Sequence, residues 1–366
     1  MANCKTFYNK IGEHDMLTMT RRKKNFTDEE AEDFRQKLIA LKQEIHKDII
    51  RMDEQIDALI ITLLAGVETR FHTLFNAEPG TGKTKLVNTL ARAVNLQFSR
   101  QQFTPDVEPK DLYIGFGVLE AGKISAQEMP IRPGALFTEI LLADEINRTP
   151  GKTQSVLLEA AEEKQVTMEG KTYPCSPSSL FYLIGTLNPV ESDEAVYPLG
   201  AALSDRISFL VTVNFPDEEM ISEVVARDQR PKEFKHVLTR EDLIKWGRLI
   251  YQNYSIPLKP DHAIVSYISR IILACRNCPA RTFGPSVRAG EDMKIASAVT
   301  AFLAGKDKIG QEDIKKIALP SLRGVVGLRL RNDNSLEDMG YEIKSSYLES
   351  AEPALKDLVN SVPFIK

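Results

Sequence analysis

The residues with the clearest chemical capacity lie between Arg70 and Thr89. A short apolar run, Phe71-His72-Thr73-Leu74-Phe75, leads into Asn76-Ala77-Glu78-Pro79-Gly80-Thr81-Gly82-Lys83-Thr84, and a helical pattern follows. This is the order of a strand–GxxxxGK[ST]–helix unit. In such a unit backbone amides wrap a β-phosphate, the helix N-terminus adds its positive dipole end, and the lysine ammonium meets the β and γ oxygens. Glu78, Pro79, Gly80, Thr81, Gly82, Lys83, Thr84 and Lys85 would then form the nucleotide cradle, with Lys83 as the ammonium and Thr84 as the hydroxyl on Mg²⁺. Ala77 stands at the first template glycine, while Gly80 and Gly82 still permit close backbone approach. Taken alone, the motif could also be a Gly/Pro turn.

A second candidate removes much of that ambiguity. Ile140-Leu141-Leu142-Ala143-Asp144-Glu145 is a continuously apolar run ending in two carboxylates. A parallel strand buried on both faces is continuously apolar, and ligands bind at the C-terminal ends of such strands. Asp144 would hold the Mg²⁺ hydration shell and Glu145 would take a proton from an attacking water. A third run, Leu180 to Asn188, ends in an amide that could orient that water; an asparagine after a strand is otherwise an ordinary turn residue.

The elements that must position these groups follow from periodicity. Thr27-Asp28-Glu29-Glu30 is a capping box that starts a helix with apolar residues at Phe34, Leu38, Leu41, Ile45, Ile49 and Met52. A second helix runs from Asp53 to Gly66. After the loop, Leu86, Leu90 and Val94 mark an inward helix face, and Phe98 to Phe103 reads as a strand. Lys152 to Glu163 reads as a helix, Gln165 to Tyr173 as a hairpin turning at Glu169-Gly170, and Ile207 to Val213 as the last strand. Leu119 to Ile124 resembles a hairpin tip. Beyond Pro216 nearly every pattern is helical: Asp217 to Arg227, Glu241 to Tyr251, Asp261 to Cys275, Ser286 to Ala304 and Gln311 to Leu319. A polar tail with one weakly amphipathic helix, Ala354 to Val359, closes the chain.

These patterns divide the 366 residues into an N-terminal extension (1–24), an α/β domain (25–233), a helical domain (234–331) and a tail (332–366). The net charge of −4 leaves no basic footprint for nucleic acid. The longest apolar stretch, Ala58 to Val67, is too short to span a bilayer and the N-terminus lacks a signal-peptide core, which predicts a cytoplasmic protein. The four cysteines make no disulfide framework, and Cys275-Arg276-Asn277-Cys278 reads as two half-buried thiols at a helix end.

The ordered motifs together resemble the MoxR family of AAA+ ATPases. The likeness rests on Phe103-Thr104-Pro105-Asp106, Leu142-Ala143-Asp144-Glu145-Ile146-Asn147-Arg148, Lys152-Thr153-Gln154, Asn188-Pro189-Val190-Glu191, Tyr197-Pro198-Leu199, Asp205-Arg206 and Gly284 to Ala289. It implies a P-loop NTPase of the AAA+ class: a five-stranded parallel sheet with an all-helical C-terminal lid, closing into a ring, usually a hexamer, with ATP and Mg²⁺ at each subunit interface. It further implies that Asn188 is the first sensor and that Arg206 is an arginine finger reaching into the neighbour's site. Arg288 would be the lid arginine on the γ-phosphate of its own subunit. The expected activity is ATP-driven, chaperone-like remodelling of partner proteins carrying von Willebrand factor A domains. The motor subunit of a chelatase and a non-hydrolysing nucleotide-dependent scaffold are the alternatives.

Overall fold

The structure is a computed structural model that describes residues 24–77, 80–115, 132–168, 170–187, 199–227, 233–256, 258, 262–277, 281–322, 327–328, 353 and 355–365. Five strands form the central sheet: β1 (Thr73–Ala77), β2 (Phe98–Gln102), β3 (Ile140–Asp144), β4 (Tyr182–Leu187) and β5 (Phe209–Val213). All pairs are parallel, in the spatial order β2-β3-β4-β1-β5. Every loop leaving a strand end therefore opens on one edge of the sheet, and every connection entering a strand start lies on the other.

The sheet sorts its side chains by strict alternation. Phe75, Ile140, Leu142, Tyr182, Ile184, Phe209 and Val211 enter one apolar cluster, whereas Leu74, Leu141, Ala143, Leu183 and Leu210 enter the other. Helices α1 (Asp28–His46), α2 (Asp53–Ala65) and α3 (Lys83–Ala93) belong to the first cluster, and α4 (Gly151–Glu163) covers the second through Val156, Leu157 and Ala160. The Thr27–Glu30 capping box forms as the sequence requires. The helical stripe is interrupted, however: α1 stops at His46, and Ile49 and Met52 are buried from the connector instead. β1 begins at Thr73 rather than Phe71, because its ladder with β4 and β5 starts there; Phe71 and His72 are buried just before it.

The C-terminal region contributes α5 (Arg240–Ile250), α6 (Ala263–Asn277), α7 (Val287–Leu303) and α8 (Gln311–Leu322). They join the first cluster without a break at residue 233. Trp246 on α5 stacks on Phe34 of α1 at 4.8 Å and 11° and meets Phe26 and Phe302 edge-on or tilted, each at 5.4 Å. Gly247 lets α5 close on the end of α2, since a Cβ there would come within 2.5 Å of Val67 Cγ2 and 2.7 Å of the Leu64 carbonyl. Three features were not expected from the sequence. α5 continues as a π-helical turn over Tyr251–Ser255. A two-stranded antiparallel ribbon joins Arg281–Phe283 to Gly327–Leu328, so the lid is not wholly helical. The polar tail returns, burying Leu355, Val359 and Val362 and setting Phe364 edge-on to Tyr267 at 5.2 Å.

The Gln165–Met168/Lys171–Pro174 hairpin forms as read, while the tip at 119–124 lies outside the described residues. Cys275 is fully rather than half buried, and Cys278 also lies outside the described residues.

Candidate active site

β1 delivers the chain to the phosphate loop at the strand-end edge. Gly80 and Gly82 adopt φ of +82° and +85°, left-handed values open to glycine, and Gly82 caps α3. A helix start of this kind is where backbone amides and the helix dipole meet an anion. Lys83 opens the helix and is 7% exposed; burial pushes its ammonium down from the ordinary lysine value, against the opposing pull of Asp144 and Glu145. Thr81 is buried and Lys85 is exposed on the outer side of the helix. Glu78, Pro79 and Asn188 lie outside the described residues.

β3 delivers the acids to the same edge. Asp144 Oδ2 accepts the Thr84 hydroxyl at 3.5 Å, so residues sixty positions apart face one small volume. Burial alone would raise the Asp144 carboxyl, but the Thr186 hydroxyl at 2.5 Å and the Arg100 guanidinium at 2.7 Å outweigh it and hold the group below the ordinary carboxylate range. The carboxylate is therefore ionised and fixed from both oxygens. Glu145 takes a left-handed backbone (φ 57°, ψ 46°), a costly conformation for a side-chain-bearing residue. Its amide donates to Thr186 Oγ1 at 2.9 Å and its carboxylate pairs with Arg148 at 2.8 Å. Thr186 on β4 thus orients both acids.

One carboxylate and one hydroxyl, both oxygen donors, suit Mg²⁺, which keeps most of its waters and takes further ligands from phosphate. Glycines with positive φ at a helix start, beside a buried ammonium, suit a triphosphate. The described residues therefore fit Mg·ATP, with Thr84 and Asp144 toward the metal and Gly80, Thr81, Gly82 and Lys83 toward the phosphates.

The two arginines lie elsewhere. Arg206 precedes β5, and its Nε is 2.6 Å from Glu162 Oε2. Arg288, in the first turn of α7, pairs with Glu162 at 3.2 Å and with Asp205 at 3.3 Å. Glu162 lies in the last turn of α4, a thirteen-residue helix that runs back from the acids, and it also pairs with Arg70, three residues before β1. Both arginines are therefore on the strand-start edge, across the sheet from the phosphate loop. Arg288 was expected at the γ-phosphate of its own subunit; in this structure it stands beside Arg206, on Glu162 and Asp205.

Arg100, Thr186, Arg70 and Glu162 were not singled out from the sequence. Glu162 left a signal, because an acid in the last turn of a helix opposes its dipole unless cations stand there. The Lys152-Thr153-Gln154 motif is structural: Thr153 donates to the Val107 carbonyl at 2.8 Å, and Gln154 links the Thr149 carbonyl to the Gly200 amide.

A glycine loop between a strand and a helix, with an acid pair on a parallel strand in this order, defines a P-loop ATPase of the AAA class. Residues 72–210 match the family model described as "ATPase family associated with various cellular activities (AAA)". The chain is 33% identical to chaperone MoxR1 of Mycobacterium tuberculosis over 291 residues, covering 76% of this chain and 73% of that protein. It is 34% identical to YeaC of Bacillus subtilis over 290 residues, covering 76% and 87% of the two chains. The crystal structure of a candidate ATPase from Cytophaga hutchinsonii superposes with a TM-score of 0.77 at 27% identity, covering 93% of this chain and 98% of that one. The chain belongs to the MoxR family of AAA+ ATPases.

Proposed function

We propose that this chain hydrolyses Mg·ATP in a ring of identical subunits and uses the cycle to remodel a protein partner. The observation that carries the reading is the meeting of Thr84 and Asp144 across sixty residues at the mouth of the phosphate loop, with Glu145 alongside. Lys83 and the loop amides would bind the β and γ phosphates, and Thr84 and Asp144 would hold the metal and its waters. Bound Mg²⁺ would neutralise charge developing on the phosphate oxygens. Glu145 would accept the proton of the attacking water after leaving Arg148. The amide of Asn188 would orient that water.

Arg206 and Arg288 would act on the neighbouring subunit's triphosphate, since both lie across the sheet from their own loop. Hydrolysis would then require assembly, with residues 25–233 as the ATPase body and 234–331 as the lid. The remodelling role is supported by the relative named as a chaperone. The proposed client is a protein with a von Willebrand factor A domain, met in the cytoplasm. Among the described residues no helix is long and apolar enough to cross a membrane.

Glu145→Gln tests the reading: phosphate release should fall about 10²- to 10⁴-fold while ATP binding persists. A wild type that binds ATP and assembles but releases no phosphate would point instead to a nucleotide-dependent scaffold.

A further inference from the structure

One carboxylate gathers three guanidinium groups. Glu162 pairs with Arg70 from the approach to β1, Arg206 from the approach to β5, and Arg288 from the lid. Glu162 sits in the last turn of α4, where the helix dipole disfavours an anion, and Arg288 sits in the first turn of α7, where it disfavours a cation. Neither residue is placed for its own helix. Each is placed for the other.

The arrangement also fixes a distance. Arg206 and Arg288 bind the two oxygens of the same carboxylate, so their guanidinium groups are held side by side although they come from different parts of the fold. Asp205, the residue before Arg206, takes the second nitrogen of Arg288 at 3.3 Å and closes the set. The Arg206 and Arg288 side chains remain 16% and 30% exposed. Two guanidinium groups in one fixed fork form a preorganised clamp for a triphosphate, and the orientation of such groups governs their value to phosphoryl transfer.

We infer that Glu162 is a positioning residue, holding Arg206 and Arg288 as one unit for presentation to the neighbouring subunit's triphosphate. This rests on the ring reading above. Glu162 touches no nucleotide; it acts through the arginines. Neutralising it should leave the phosphate loop, on the opposite edge, able to bind nucleotide.

The test uses the full chain as Glu162→Gln, Arg206→Ala and Glu145→Gln, alone and in equimolar mixtures. Glu162→Gln should lower phosphate release about tenfold or more, while affinity for a fluorescent ATP analogue stays within about twofold of wild type. Mixing it with Glu145→Gln should restore release above the sum of the separate proteins, because Glu145→Gln subunits lend intact arginines to sites that retain Glu145. Recovery in the Arg206→Ala and Glu145→Gln mixture, without recovery in the Glu162→Gln mixture, would overturn the role of Glu162 and leave the ring reading standing. Recovery in neither would overturn the ring reading and the inference with it. Should Glu162→Gln fold poorly, Glu162→Asp keeps the charge on a shorter arm: reduced turnover at an unchanged melting midpoint supports positioning, and unchanged turnover overturns it.

Discussion

The two edges of the sheet are built by different means. At the strand-end edge, local groups do the placing: left-handed Gly80 and Gly82, the left-handed Glu145 paired with Arg148 three residues on, and Asp144 held by Thr186 and Arg100 from the adjoining strands. At the strand-start edge, charges place one another: Arg70, Arg206 and Arg288 on Glu162, Arg288 on Asp205, and Arg240 of the lid on the buried Glu139. The first edge needs only its own strands and α3. The second exists only where sheet, α4 and lid have come together, so its geometry depends on how the lid docks.

The strongest way to break this contrast is a pair of substitutions. Arg206→Ala should lower turnover by about 10³-fold or more and leave Mg·ATP affinity within about twofold. Lys83→Ala should instead abolish measurable nucleotide binding, as followed by calorimetry. If both lost binding equally, the two edges would not be separate in function.

The second distinction is acid sensitivity. His72 lies before β1 and is buried, with Nε2 donating to the Ala161 carbonyl at 2.8 Å and Nδ1 accepting the Leu183 amide at 3.1 Å. Burial pushes its pKa down to about 4. Between pH 6.5 and 4 the unfolded chain binds a proton that the folded chain does not, so this contribution is present above pH 6.5 and is lost as pH falls. By pH 5 the loss amounts to about 2 kcal/mol. Urea titrations of wild type and His72→Gln at pH 7.5 and pH 5 would show it as a larger fall in unfolding free energy for wild type, and equal falls would remove His72 from the account.

The smallest expected effect concerns the strand-end edge. Thr186→Val keeps the shape and removes the hydroxyl that serves both acids, which should cost about 1–3 kcal/mol of stability. Turnover should fall while nucleotide affinity changes little. A variant with unaltered turnover would mean that strand geometry alone holds the acids.

The strand-end edge was largely legible in the sequence because its cues are local. The glycine spacing and the apolar run ending in Asp144-Glu145 each lie within ten residues. The neighbours of Arg288 were not legible, since they are set by α7 packing on α2 and α6. Glu162 and Arg70 are ninety-two positions apart and carry no motif. The Arg281–Phe283 ribbon pairs with residues more than forty positions downstream and shows no alternation, and the returning tail buries only a few apolar side chains in a polar stretch. These features arise from docking rather than from local pattern.

Trp246 is the sole tryptophan of the chain and lies where the lid meets the first helix, ringed by Phe26, Phe34 and Phe302. The molecule thereby carries its own fluorophore at that joint. Indole emission shifts to longer wavelength when the ring is wetted, so the unlabelled protein would report any loosening of that joint.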